Sequence, residues 1–143
     1  MFLRLTADEI ASGWPVIKNA IKESRPPMYI GEPEFYTNVL DALQGGAMQC
    51  WALLNNRHIK ALCVTELISD PYNQKLNLLI FALYGHEALT EHDWAEGQQV
   101  LFEFAKSLRC SFVIAYTDHP GIVRMAEQRN ASIRQYIQVE VPK

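Results

Sequence analysis

The stretch from Lys75 to Thr117 limits what this chain can fold into more than any other part of it. It opens with an apolar run, Leu76-Asn77-Leu78-Leu79-Ile80-Phe81-Ala82-Leu83, of strand length and too continuous for a strand with one wet face. A break follows at Tyr84-Gly85-His86, and Thr90 then begins a long helical pattern. After Arg109-Cys110-Ser111 comes a second apolar run, Phe112-Val113-Ile114-Ala115-Tyr116-Thr117. The pattern predicts strand, crossover helix and strand, with the strands parallel and the crossover right-handed. Parallel strands are buried on both faces, so the rest of the chain must supply cover above and below them.

The flanking segments read as that cover. Thr6-Ala7-Asp8-Glu9 has the form of a capping box, and a first helix is predicted from Ala7 towards Ser24, interrupted near Gly13-Trp14-Pro15. Trp14, Ile17 and Ile21 recur on one face of it, and Arg25-Pro26-Pro27 ends it. A second helix is predicted from Pro33 to Leu43, with Tyr36, Val39, Leu40 and Leu43 as its apolar stripe and Gly45-Gly46 as its stop. Tyr29 and Tyr36 read as core and rim packing, with a ligand site as the alternative. Two strands follow, Ala47 to Leu54 and His58 to Leu67, joined through Asn55-Asn56-Arg57, where asparagine tolerates the left-handed backbone of a tight hairpin. Asp70-Pro71-Tyr72-Asn73 turns the chain into the strand at Lys75.

Thr90 is the predicted cap of the crossover helix, with Glu91 and Asp93 placing negative charge near its positive end. Asp118-His119-Pro120-Gly121 is a turn into a short helix, Ile122 to Arg129, with Asn130 as a left-handed cap. The last segment, Ile133 to Val141, is predicted to add a terminal antiparallel strand. The whole is one domain over residues 1–143, of class α/β (α+β), in the order ααβββαβαβ. It has a mixed sheet of about six strands with helices on both faces.

Composition then narrows the function. With 143 residues and 49% hydrophobic content the chain can bury a core without staples. A net charge of -3 and a pI near 5.8 argue against nucleic-acid phosphate as a partner. No apolar run reaches the roughly 20 residues of a membrane helix, and the N-terminus lacks a signal-peptide layout, so a cytoplasmic protein is expected. Cys50, Cys63 and Cys110 have no CxxC spacing and read as buried reduced thiols rather than metal ligands; whether Cys50 and Cys63 face each other across the hairpin is left open by the sequence. The four histidines are too scattered for a metal site. Trp14, Trp51 and Trp94 read as core anchors, an exposed one being the alternative that would mark a protein-binding surface.

The element order resembles the GNAT acyltransferase superfamily over nearly the whole chain. The hairpin from Trp51 to Leu62 looks like the family's second and third strands. Leu101 to Cys110 is similar to the end of its coenzyme-binding helix, and Arg124 to Asn130 stands in place of its short fourth helix. The resemblance implies that the strand before the crossover helix splays from the next parallel strand, with pantetheine in the gap. It also implies a loop of the form R/Q-x-x-G-x-G/A, whose amides cradle a pyrophosphate at the helix start. That loop falls at Leu89-Thr90-Glu91-His92-Asp93-Trp94, which carries neither the arginine nor the glycines. Where the family has an asparagine, a general-acid tyrosine and Gly-Phe, this chain has His119, Ala126 and Asn130-Ala131. Divergent GNAT-like proteins of this size also occur among bacteriophage proteins, and the chain resembles that kind.

On this resemblance, Glu66 is the candidate base, late in the third antiparallel strand, while Tyr116 and His119 are the candidate acids. Leu83, Tyr84, Thr90 and Trp94 are the coenzyme-side residues if acetyl-CoA binds, and His86 and Glu87 are candidates for holding an acceptor. The degenerate loop implies a protein without a cofactor that works through protein contacts. It would be a virion or assembly component or a factor acting on a host protein, in the host cytoplasm or the virion, with a homo-oligomer as one form. The alternative is an active N-acetyltransferase that moves an acetyl group from acetyl-CoA to an amine through a divergent loop.

Overall fold

Four strands long enough to carry a two-residue alternation, or a buried run, form the middle of the molecule, and helices cover them from both sides. The computed structural model describes residues 1–26, 28–29 and 31–143. In chain order the elements are β1 (Phe2–Arg4), α1 (Ala7–Ser12), α2 (Trp14–Ser24), α3 (Pro33–Gly45), β2 (Met48–Asn55), β3 (His58–Asp70), β4 (Lys75–Gly85), α4 (Glu91–Ser107), β5 (Phe112–Ala115) and α5 (Pro120–Gln128). The strands form one sheet in the order β1-β2-β3-β4-β5. All neighbours are antiparallel except β4 and β5, which are the predicted parallel pair around the crossover helix α4.

Local chemistry sets most boundaries where the sequence put them. The capping box at Thr6 and Glu9 is closed in both directions, and a second one joins Thr90 to Asp93. The first helix breaks into two at Gly13, with Pro15 in the opening turn of α2. Gly46 ends α3 at φ 89°, and Asn130 follows α5 at φ 56°. Asn56 and Arg57 are both left-handed in the β2–β3 turn, and Asp70 Oδ1 accepts from the amides of Tyr72 and Asn73 in the next turn. Pro27, read as part of the stop after α2, lies outside the described residues.

Three features depart from expectation. The sheet has five strands, and one of them, β1, is a three-residue edge piece too short to show any periodicity. The predicted strand from Ile133 to Val141 is not formed: residues 131–143 are exposed and without regular structure. Its alternation suits a strand, but a strand exists only as part of a ladder, and among the described residues the tail pairs with none. Finally, β5 ends at Ala115 rather than Thr117, and α5 begins at Pro120 rather than Ile122.

The sheet separates two cores. Ile17, Ile21, Tyr36 and Leu43 from α2 and α3 pack on Cys50, Leu62, Val64 and Leu79. On the other face Leu101, Ala105 and Ile122 from α4 and α5 pack on Trp51, Cys63, Leu78 and Ile80. Cys50 pairs with Val64 and Trp51 with Cys63, so the two thiols lie on opposite faces. Burial pushes Cys50 up to about 12 and raises Cys63 as well, so both remain protonated small hydrophobes.

The α4-side core contains one fully satisfied polar chain. Trp51 Nε1 donates to Thr65 Oγ1 at 3.0 Å, Thr65 Oγ1 donates to Gln49 Oε1 at 2.7 Å, and Gln49 Nε2 donates to the Gly46 carbonyl at 3.0 Å. Thr65 and Gln49 are buried, so each group depends on the next for its partner. Thr65→Val keeps the shape but strands an indole N–H and an amide oxygen. Urea denaturation is expected to show a loss of about 1–3 kcal/mol, with Thr65→Ser losing much less; equal losses in both variants would show that packing, not the hydroxyl, matters there.

Candidate functional site

Two single-residue irregularities interrupt the strand register, and one of them lies where the sheet comes apart. In β4, Val64 pairs with Ala82 and Thr65 with Ile80, which leaves Phe81 as an extra residue. Phe81 and Ala82, although consecutive, both face the α1–α3 core, as a bulge requires. Pairing of β4 with β5 stops at the same point, at Ile80 and Ala115, while β4 continues beside β3 to Gly85. From Phe81 onward the β5 side of β4 is open, and a cleft of about 500 Å³ lies there. Its floor is the free part of β4, one wall is the end of α2 at Glu23, Ser24 and Arg25, and the other runs from Tyr116 to Pro120. Arg25 is braced in its wall by donating to the Tyr29 and Lys22 carbonyls at 2.9 and 2.7 Å.

The second irregularity is in β3. Leu53 pairs with Ala61 and Leu54 with Ile59, so Lys60 is the extra residue. The bulge turns Lys60 towards α4, where its ammonium pairs with the Asp93 carboxylate, both side chains being largely buried. Asp93 also closes the start of α4: the Thr90 amide donates to Asp93 Oδ2 at 2.8 Å, and the Asp93 amide donates to Thr90 Oγ1 at 3.1 Å. Burial pushes the Asp93 carboxyl up, but the Lys60 ammonium and the Thr90 amide and hydroxyl outweigh it and hold the carboxyl below its ordinary value. One residue on, Trp94 lies over the first turn of α5, so close that a Cβ on Gly121 would stand 2.4 Å from Trp94 Cζ2. The Trp94 ring also meets His119 edge-on at 6.1 Å.

Of the residues the sequence singled out, Leu83, Tyr84, Tyr116 and His119 come together around the cleft. His119 is the N-cap of α5, its Nδ1 accepting from the Gly121 amide at 3.0 Å. Thr90 and Trp94 lie at the α4 start and do not line the cleft. Glu66 pairs across the sheet with Met48 and Leu79 and is half-buried on the α1–α3 side. It lies near enough to Tyr29 that, after burial, its charge is the next cause raising that phenol, followed by Tyr116 and Tyr136. His86 and Glu87 sit instead by the β2–β3 turn, with the His86 amide on the Lys60 carbonyl and Glu87 3.9 Å from His58. Tyr36 is core, Tyr29 packs on Phe35 and Phe81 at the cleft's rim, and all three tryptophans are packed rather than exposed. Lys60 and Arg25 were not foreseen; a lysine in an apolar strand reads as solvent-facing unless the bulge is known.

No family model and no curated protein matches the chain. Solved structures do match. An N-acetyltransferase of ribosomal-protein alanine from Brucella melitensis aligns over 100% of this chain and 99% of its own at TM-score 0.67 and 12% identity. An aminoglycoside acetyltransferase from an uncultured soil metagenomic sample, in complex with sisomicin, aligns over 100% and 95% at TM-score 0.69 and 12% identity. A predicted acetyltransferase with acetyl-CoA from Clostridium acetobutylicum aligns over 99% and 95% at TM-score 0.69 and 15% identity. The fold is that of the GNAT acetyltransferases. The cleft lies where the sequence resemblance put the gap between the two parallel strands, and the α4 start is where it put the pyrophosphate loop.

Glu66 provides a test of its surroundings. Burial raises its carboxyl above the ordinary value, so the folded chain holds that proton to higher pH than the unfolded chain does. Its stabilising contribution is present while the group is protonated in both states and is lost as pH rises through the raised folded value. Glu66→Gln is therefore expected to match the parent in urea at pH ~4 and to exceed it at pH ~7; a difference independent of pH would place Glu66 in water.

Proposed function

We propose that this chain is a GNAT-fold protein that has given up ordinary acetyl-CoA binding and acts through protein contacts, as a phage virion or assembly component or as a factor acting on a host protein. The observation that carries this is the state of the α4 N-terminus. A helix start attracts an anion because its first amides are unpaired and its dipole is positive. Here Asp93 is that anion: it takes the Thr90 amide, is held by Lys60, and has its own amide on Thr90 Oγ1. A pyrophosphate brought to the same place would meet a carboxylate held in its charged form. Trp94 fills the approach between α4 and the first turn of α5, where a glycine would let a cofactor come close to the backbone. The residues present do not fit a pyrophosphate.

The open cleft itself supports the second reading, an active N-acetyltransferase that uses a divergent loop, with Glu66 as base and Tyr116 or His119 as acid. Calorimetric titration with acetyl-CoA separates the two. No heat is expected up to about 1 mM ligand, whereas saturation at micromolar concentration would overturn the proposal.

A further inference from the structure

Two parts of a β-interaction are present in every copy of this chain, and neither is used among the described residues. The first is the outer side of β5, the last strand of the sheet, which bonds only to β4 and carries the exposed Phe112 (67%). An edge with free N–H and C=O groups is a template for another strand unless it is blunted, and β5 carries no charge or proline to blunt it. The second part is the tail. Ile133, Ile137, Val139 and Val141 share one side of an extended chain, with Arg134, Gln138 and Glu140 on the other. Ile137, Val139 and Val141 are 80–82% exposed, a density of open apolar side chains that marks an interaction surface.

We propose that a second copy of this chain is the partner, residues 137–141 of each copy lying along the free β5 edge of the other. The tail is already tethered beside its own β5 by Tyr136, whose ring lies 6.1 Å from that of Tyr116, yet it forms no strand there. A foreign strand would close the edge and leave the tail bare. A reciprocal exchange closes both at once, the self-complementary arrangement of a two-fold dimer. Main-chain hydrogen bonds give such an added strand its affinity, and Ile137, Val139 and Val141 give it register. The interface forms whether or not the cleft takes a coenzyme, so the acetyl-CoA titration and the test below fail independently.

The test is the mass of the full chain in solution by sedimentation equilibrium across a concentration series. The expected result is a rise from 16.3 kDa towards about twice that value. Val139→Asp and, on the opposite side of the contact, Phe112→Lys should each weaken association at least about tenfold, while leaving the thermal unfolding of dilute protein unchanged. Amides 137–141 should gain protection from hydrogen exchange as concentration rises. A chain that stays single at every concentration overturns the proposal. So does a dimer untouched by both substitutions, or tail protection independent of concentration, which would mean that the tail pairs within its own copy.

Discussion

Everything distinctive in this molecule follows from two extra residues, Phe81 in β4 and Lys60 in β3. A bulge adds one residue to one strand of a pair, bends it and turns its side chains to new directions. Phe81 does this where the β4–β5 ladder ends, so the sheet parts into a cleft rather than running flat to its edge. Lys60 does it at the other end of the hairpin and delivers a cation to the start of α4. One bulge lies where the cleft opens, and the other brings a cation to the start of α4, which does not line the cleft. The remaining architecture, two cores on a five-stranded sheet, holds these two positions in fixed relation.

The open cleft and the occupied helix start are the two features on which the proposed readings rest. The likeness to solved acetyltransferases shows the fold alone. Asp93 is not a loose surface acid: two hydrogen bonds with Thr90 and an ion pair with Lys60 fix its carboxylate against the N-cap amide. Removing it would uncover the amide it accepts from and leave a largely buried Lys60 without its counter-ion, so the arrangement resists piecemeal change. An anionic ligand would need to displace a partner that is covalently present at every moment.

Much of this was legible in the chain. The Thr6–Glu9 capping box, the Thr90 cap, the Asn55–Arg57 turn, the two parallel apolar runs and the left-handed Asn130 are short-range signals, and each is found where the residues put it. The bulges were not legible, because a one-residue insertion leaves composition and apolar content unchanged and shows only when a partner strand supplies the count. For that reason nothing in the sequence singles out Lys60. The tail erred in the opposite sense. Its alternation from Ile133 to Val141 is a true strand pattern, but a pattern cannot say which chain provides the neighbour. The candidate site fared in between: Leu83, Tyr84, Tyr116 and His119 meet at the cleft, while Glu66, on the α1–α3 side, and Thr90 and Trp94, at the α4 start, do not line it.

The central claim is that Asp93, charged and held by Lys60, occupies the place of a ligand anion at the α4 start. Carbon-detected NMR titration of the Asp93 carboxyl, with and without coenzyme A, addresses it directly. The carboxyl is expected to lose its proton below the ordinary carboxylate range, to move upward in Lys60→Met, and to be unaffected by the coenzyme. An ordinary titration indifferent to Lys60, or one displaced by coenzyme A together with the amides of Thr90 and Asp93, would contradict it.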